Sequence, residues 1–351
     1  MTGRILLYGA TGYTGRLIAA AAAKRGIDLV CAGRDEAGVA AVAAPLGLPH
    51  VAAPLNDPAA LSRILDGIAI VLHVAGPFSA TSRPMVDACI AKGVHYLDIT
   101  GEIDVFETCA GLGEKAAAAG VMLMPGVGFD VVPSDCLAAH MKRRMPDATR
   151  LRLAMSGLSN MSRGTAKTSI EAIAKGTMVR RGGRLTEVAG TPRTKIDFGK
   201  GPVDAIGISW GDVATAFHTT AIPDIEVFFE STPELSRMLG LPGGVRRLLG
   251  TAPAQFLLKQ MVNLMPAGPD AKHRQTARAI LLGEATNAAG ETLRSRLDVI
   301  EPYALTAETA LLIAGKVVAG AFQPGYQTPG GAYGPDLILE VPDCRREDLN
   351  A

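Results

Sequence analysis

The chain opens on short continuous apolar runs separated by amphipathic segments. "RILLYGA" reads as a strand and "GRLIAAAAAKRG" as an alanine-rich helix ending at Gly26. The alternation continues with the strands "DLVCAGR", "PHVAAPL", "IAIVLHVAGP", "HYLDIT" and "VMLMPG". Between them lie the helical segments "EAGVAAVAAPLG", "DPAALSRILDG", "SRPMVDACIAKG" and a helix over 103–119. Strands apolar on both faces, with helices between them, predict a parallel sheet covered on both sides.

Near Gly126 the pattern changes. "PSDCLAAHMKRRM" predicts a helix with Ser134 as its N-cap, and "ATRLRLAMSG" alternates as a half-buried strand. "ARAILLGEATNAAGETLRSRLDVIE" predicts an antiparallel hairpin turning at Asn287–Gly290. Stretches rich in glycine and proline at 182–211 and 323–335 read as loops. The expected fold is α/β: an N-terminal Rossmann doubly wound parallel sheet, then an α+β domain on a mainly antiparallel sheet. The expected boundaries are 1–128 for the first domain and 129–322 for a substrate and dimerisation domain. Residues 323–351 are expected to pack back on the first.

Composition narrows the function classes. Hydrophobic residues make up 48% and charged residues 20%, with a formal net charge of +1. No basic block offers an electrostatic footprint for nucleic acid. No apolar run reaches the roughly 18 residues of a membrane span; "ALLIAGKVVAGAF" is interrupted by Lys316. The chain enters its first strand without a basic segment and cleavage site, so a cytoplasmic protein is expected. Five cysteines without a C-x-x-C pair suit reduced thiols, and six scattered histidines predict no metal site.

The chemistry begins in "LLYGATGYTGR", where three glycines follow the first strand at G-x-x-G-x-x-G spacing. Gly9 permits a tight turn, Gly12 lets a pyrophosphate approach the backbone, and Gly15 lets the helix pack on the sheet. Free amides at the helix start face the anion, and Thr11 and Thr14 add hydroxyl donors. Ala10 and Tyr13 complete the cofactor loop. The second strand ends "CAGRD": Gly33 stands where NAD-binding chains place a carboxylate, and Arg34 follows. An arginine pairs with a 2′-phosphate, so NADP(H) is expected over NAD(H). Asp35 is read as the start of the next helix. Asp57 faces the adenine or caps a helix. Ala75, Gly76 and Pro77, ending the fourth strand, leave room for the nicotinamide ribose.

Loops of this kind occur in three families. The extended short-chain dehydrogenases use Tyr-x-x-x-Lys, and no tyrosine here has lysine four residues on. The semialdehyde dehydrogenases use a cysteine, for which Cys136 is the candidate, but their Asn-Pro-Gly-Cys pattern is absent. The third resemblance rests on "AGPFSATSRPMVDACIAKGVHYLDITGE", "PGVGFDVVPSD", "SRGTAKTSIEAI", "WGDVATAFHTTAIPDIEVF" and "QTPGGAYGPDLILEV". These stretches resemble the saccharopine dehydrogenase-like NADP-binding oxidoreductases, in particular the subgroup similar to trans-acting enoyl reductases. The resemblance implies a Rossmann domain, a second domain that supports a homodimer, and reduction with NADPH.

Hydride transfer to most acceptors also needs a proton donor. Tyr96, Asp98, Glu102 and Asp130 fall near the carboxyl ends of the strands, and Lys167 and His218 come from the second region. Each has a plain structural alternative: Asp98 capping a loop, Glu102 starting a helix, Lys167 solvated, His218 in a core. Arg163, Lys167 and Arg193 are the basic groups on offer to a charged substrate. Residues 235–265, rich in leucine and methionine, suit an acyl chain, a peripheral membrane contact, or packing in a core or dimer interface. The expected activity is reduction of a C=C or C=N bond of a small or lipid-like substrate. The rivals are a semialdehyde-type dehydrogenase acting through Cys136 and a cofactor-binding sensor or scaffold without turnover.

Overall fold

The computed structural model describes residues 3–158, 161–172, 176–239 and 243–349. In chain order the first elements are β1 (Arg4–Tyr8), α1 (Tyr13–Lys24), β2 (Leu29–Gly33), α2 (Glu36–Ala43), β3 (His50–Ala52), α3 (Pro58–Ile64), β4 (Ile68–His73), α4 (Phe78–Lys92), β5 (His95–Asp98), α5 (Ile103–Gly111), α6 (Gly113–Ala118), β6 (Met122–Met124) and α7 (Val132–Arg144). There follow β7 (Ala148–Ser156), α8 (Arg163–Ala172), β8 (Thr177–Arg181), β9 (Arg184–Val188), β10 (Arg193–Asp197), β11 (Pro202–Gly207), α9 (Asp212–Thr220) and β12 (Asp224–Glu230). The remainder is α10 (Pro233–Leu239), α11 (Gly243–Leu249), α12 (Ala252–Val262), α13 (Ala271–Thr276), β13 (Arg278–Asn287), β14 (Thr292–Ile300), α14 (Pro302–Val318), β15 (Gly325–Tyr326), α15 (Pro329–Tyr333) and β16 (Arg345–Leu349).

The first compact unit comprises Met1–Cys136 and Tyr303–Val341. Its seven strands run parallel in the order β15-β6-β5-β4-β1-β2-β3. The strands at its centre are buried on both faces. Leu6, Tyr8, Val30, Ala32, Val71, Tyr96 and Leu123 belong to one apolar cluster, while the alternate residues Ile5, Leu7, Cys31, Leu72 and Leu97 are buried as well. That is why these segments read as unbroken apolar runs. The order 3-2-1-4-5-6 is the Rossmann order and bears out the expected doubly wound fold.

The second unit comprises Leu137–Pro302 and Pro342–Ala351. Its sheet follows the path β10-β11-β12-β7-β13-β14-β16, with β8 pairing β12 and β9. Only β12 and β7 pair in parallel; the other pairs are antiparallel. The β13–β14 hairpin turns at Asn287–Gly290 as expected, closed by the Asn287 amide on the Glu291 carbonyl at 3.1 Å.

Several local expectations differ from the structure. Residues 182–211 hold three strands rather than a loop. Most positions of β9 and β10 and the first half of β11 are exposed or half-buried, so the stretch offers no long apolar run. Their turns use Gly182 and Gly183 (φ 53° and 77°) and Gly199 and Gly201 (φ 103° and 92°). Residues 323–335 hold β15 and α15. The helix expected over 103–119 is two helices joined at Leu112. Ser134 lies inside the first turn of α7, where its hydroxyl donates to the Val131 carbonyl at 3.0 Å.

The unit boundaries also lie elsewhere than at 128 and 322. Helix α14 falls in the first unit, because Thr309 donates to the Val127 carbonyl at 2.8 Å and Thr306 accepts the Phe129 amide at 3.0 Å. The chain end divides: β15 extends the parallel sheet beside β6, and β16 pairs with β14 in the second unit. Among the described residues no helix is long and apolar enough to cross a membrane.

Candidate functional site

The turn from β1 into α1 is built around backbone that admits no side chain. Gly9 sits at φ 102°, and a Cβ there would lie 2.7 Å from the Ala75 amide nitrogen. A Cβ on Gly15 would lie 2.3 Å from the Gly9 carbonyl oxygen. These two glycines bring the loop against the end of β4 and the helix against the loop. Gly12 differs. It is exposed, and its Cβ would meet only the Gly9 oxygen, at 3.3 Å. The space in front of Gly12 is therefore open.

The loop is anchored from behind. The amides of Gly9 and Ala10 both donate to the Ala32 carbonyl, at 2.8 and 3.1 Å, and Arg16 Nε donates to the Thr11 carbonyl at 3.1 Å. The amino end of α1 has no side-chain cap and no acidic residue in its first turn. First-turn amides have no acceptor within a helix, and with the partial positive charge there they suit a phosphate. An uncapped helix start behind an open glycine fits a dinucleotide pyrophosphate.

The end of β2 fits the extra phosphate of NADP. Gly33 is buried, and a Cβ there would lie 2.9 Å from Val39 Cγ2, so a side chain at this position would have to displace Val39. Arg34 is exposed, and its charge reaches the Tyr8 phenol, which burial holds above its ordinary value. Asp35 is the N-cap of α2, accepting the Gly38 amide at 3.1 Å. Asp57 caps α3 in the same way, accepting the Ala60 amide at 2.9 Å.

At the end of β4, Ala75 is half-buried, Gly76 exposed and Pro77 half-buried, ahead of α4. The Ala75 carbonyl accepts the Thr81 hydroxyl at 2.6 Å. His73, wholly buried, stacks on Tyr8 at 5.4 Å and places Nε2 3.1 Å from Thr81 Oγ1. Its Nδ1 has no partner, and burial pushes its pKa down to about 3, so the ring is neutral. The sequence reading missed His73, whose only signal was a polar residue ending an apolar strand.

Three carboxyls come together beyond β5 and β6. Asp98 is fully buried: Oδ1 accepts the amides of Thr100 and Gly126, each at 2.9 Å, and Oδ2 accepts the Tyr96 hydroxyl at 2.8 Å. Burial pushes Asp98 up to about 7, helped by the Glu102 charge and opposed by those hydrogen bonds. Glu102 accepts the amides of Phe78 and Ser79 at 2.9 and 2.7 Å. It fills the amino end of α4, whose N-cap Pro77 offers no side-chain acceptor. Asp130 keeps some surface in solvent and packs against Gly101, where a Cβ would lie 3.1 Å from Asp130 Oδ2. Burial, then the Glu102 charge, push Asp130 up to about 7.

The remaining candidates lie elsewhere. Lys167 on α8 is half-buried and His218 on α9 is exposed, both in the second unit; His218 is not a core histidine. Cys136 is wholly buried in α7, without the access a nucleophile needs. Arg163 donates Nε to the Met265 carbonyl at 2.6 Å, and Arg193 is exposed on β10.

An open glycine loop on a Rossmann sheet, with Gly33 and Arg34 ending β2, defines a dinucleotide-binding protein. Residues 5–124 match the family model of the saccharopine dehydrogenase NADP binding domain. Residues 5–124 are thus an NADP-binding domain, and the family model matches that part of the chain. A trans-acting enoyl reductase of Mycobacterium ulcerans is 33% identical over 162 residues, 44% of this chain and 39% of that protein. One from Mycobacterium leprae is 34% identical over 149 residues, 40% of this chain and 36% of that protein. The matches therefore span under two-fifths of those relatives' length. Among solved structures, apo saccharopine dehydrogenase (L-Glu forming) from Saccharomyces cerevisiae superposes with a TM-score of 0.67 at 12% identity, covering 99% of this chain and 100% of that one. Homospermidine synthase from Legionella pneumophila, in complex with NAD, gives 0.62 at 12% identity, covering 97% and 89%. These two likenesses show the fold.

Proposed function

We propose that the protein is an NADPH-dependent oxidoreductase that reduces a C=C or C=N bond of a small or lipid-like substrate. The observation that carries the reading is the glycine loop: an open face at Gly12, an uncapped α1, and Gly33 in place of a carboxylate with Arg34 after it. The enoyl reductase names of the mycobacterial relatives support a C=C acceptor.

Bound NADPH supplies the hydride, and the second atom added across the double bond is a proton. Asp130 is the group this reading assigns to that proton. It follows β6 on the carboxyl side of the sheet and is held near 7 by burial and then by the Glu102 charge, where a carboxyl both carries and releases a proton. Asp98 positions the loops: it ties Thr100 and Gly126 together and leaves neither oxygen free for substrate. Burial raises the pKa of both aspartates, and the Glu102 charge adds to it. Lys167 and His218 are the second unit's candidate groups in the same reading. The five cysteines, none of them in a disulfide, support a reducing, cytoplasmic setting, and the family resemblance supports a homodimer.

Consumption of NADPH against a panel of enoyl thioesters and imines tests the reading. Asp130→Asn is expected to lower kcat about 100-fold while leaving NADPH affinity unchanged. Tight NADPH binding with no hydride exchange onto any panel member would support the sensor or scaffold instead. Cys136→Ser should leave turnover in place; its abolition would restore the semialdehyde mechanism.

A further inference from the structure

The second unit carries an apolar surface with a charge pattern of its own. Helix α12 is apolar around most of its circumference. Val262 is buried and Leu258 half-buried on one side, where the helix packs against α8. On the other side Phe256 is 66% exposed, Leu257 63% and Met261 59%, and Leu264 just beyond the helix is 87% exposed. At 100° per residue these four fall within one arc. On α11, Leu248 and Val245 are also exposed. Single exposed apolar residues need no explanation, whereas a contiguous group does.

Charge identifies the occupant. From Leu235 to Pro269 the chain contains Arg237, Arg246, Arg247 and Lys259 and no aspartate or glutamate. The rest of the chain has three more acidic than basic residues, so the excess of positive charge lies in this stretch. A second copy of the same face would bring like charges together around its apolar centre. An anionic bilayer offers a headgroup layer complementary to the basic charge of this stretch, with Arg247 exposed on α11, and an acyl boundary for the phenylalanine, leucines and methionine. We infer that α11 and α12 form a peripheral docking face for an anionic phospholipid surface. The inference does not depend on the reductase reading, because its readout is binding to lipid and not turnover.

Flotation of the full chain with vesicles tests it. Binding is expected to vesicles of phosphatidylcholine mixed with phosphatidylglycerol, to weaken as salt is raised, and to be absent with phosphatidylcholine alone. Arg247→Glu should weaken binding at least about fivefold per charge removed. Phe256→Ser combined with Leu257→Ser should weaken it more than about tenfold. Leu264→Ser serves as a milder variant if the double substitution unfolds, which thermal melting reports. Equal binding to neutral and anionic vesicles, or none to either, overturns the inference. So does a concentration-dependent dimer, formed without lipid, that the serine variants dissolve.

Discussion

Glu102, at the start of α5, accepts the amide of Ser79 in the first turn of α4 at 2.7 Å, and its other oxygen holds the Phe78 amide at 2.9 Å. One carboxylate thus supplies the acceptor that Pro77 cannot, and places a negative charge on the positive end of α4. Glu102→Gln keeps an oxygen but loses the charge, and should cost about 1 kcal/mol of stability; Glu102→Ala should cost about 2 kcal/mol. Denaturant melts check the order. Equal stability of all three chains would mean that water caps α4 just as well.

The glycine loop predicts a separation between folding and binding. Gly12→Ala meets only the Gly9 oxygen and should change stability by less than about 0.5 kcal/mol. Its methyl group nevertheless enters the space assigned to the pyrophosphate, so affinity for either reduced coenzyme should fall at least about tenfold, or ~1.4 kcal/mol. Gly15→Ala presses on backbone at 2.3 Å and should lower both. Calorimetric titration beside thermal melting reads the difference. Full affinity in folded Gly12→Ala would remove the assignment.

Arg34→Ala should weaken NADPH by about 1.5–3 kcal/mol, the range for a charge-assisted hydrogen bond, and leave NADH nearly unchanged. Titration with each coenzyme decides it. Equal losses would show that Arg34 does not read the 2′-phosphate.

Stability should carry opposing pH dependences from one unit. Asp98 and Asp130 keep their protons up to about 7 in the folded chain, against an ordinary value of 3.8. Between those values the folded state binds more protons than the unfolded one. Their contribution is therefore greatest below 3.8 and falls as pH rises through about 7. His73 acts with the opposite sign. Its pKa is pushed from 6.5 to about 3, so its contribution is present above 6.5 and is lost as pH falls through about 3. Asp98→Asn can still accept the Thr100 and Gly126 amides through its amide oxygen. It should make stability rise more steeply with pH between 3.8 and about 7 than in the parent chain. Melts across that range test this, and parallel curves would show that Asp98 is ionised throughout.

Asp98 and Glu102, two of the three carboxylates that the sequence offered as proton donors, show where a linear reading stops. Both lie on the carboxyl side of the sheet, as the strand–helix alternation required. What their oxygens face depends on residues far along the chain: Gly126 for Asp98, and Phe78 and Ser79 for Glu102. His73 escaped notice for the same reason. Its neutral state follows from complete burial between Tyr8, Phe78 and Tyr96, which come from other elements.

By itself the sequence determined the parallel Rossmann sheet, the glycine loop and its cofactor, because these rest on local features: apolar runs, glycine positions and the residue after β2. The tertiary structure decided the rest. It turned 182–211 into three paired strands, split the chain end between β15 and β16, and moved α14 into the first unit. It also made Glu102 a cap and lifted Asp130 toward neutrality. Edge pairing, burial and the approach of one charge to another act between segments distant in the chain, and no local pattern of residues encodes them.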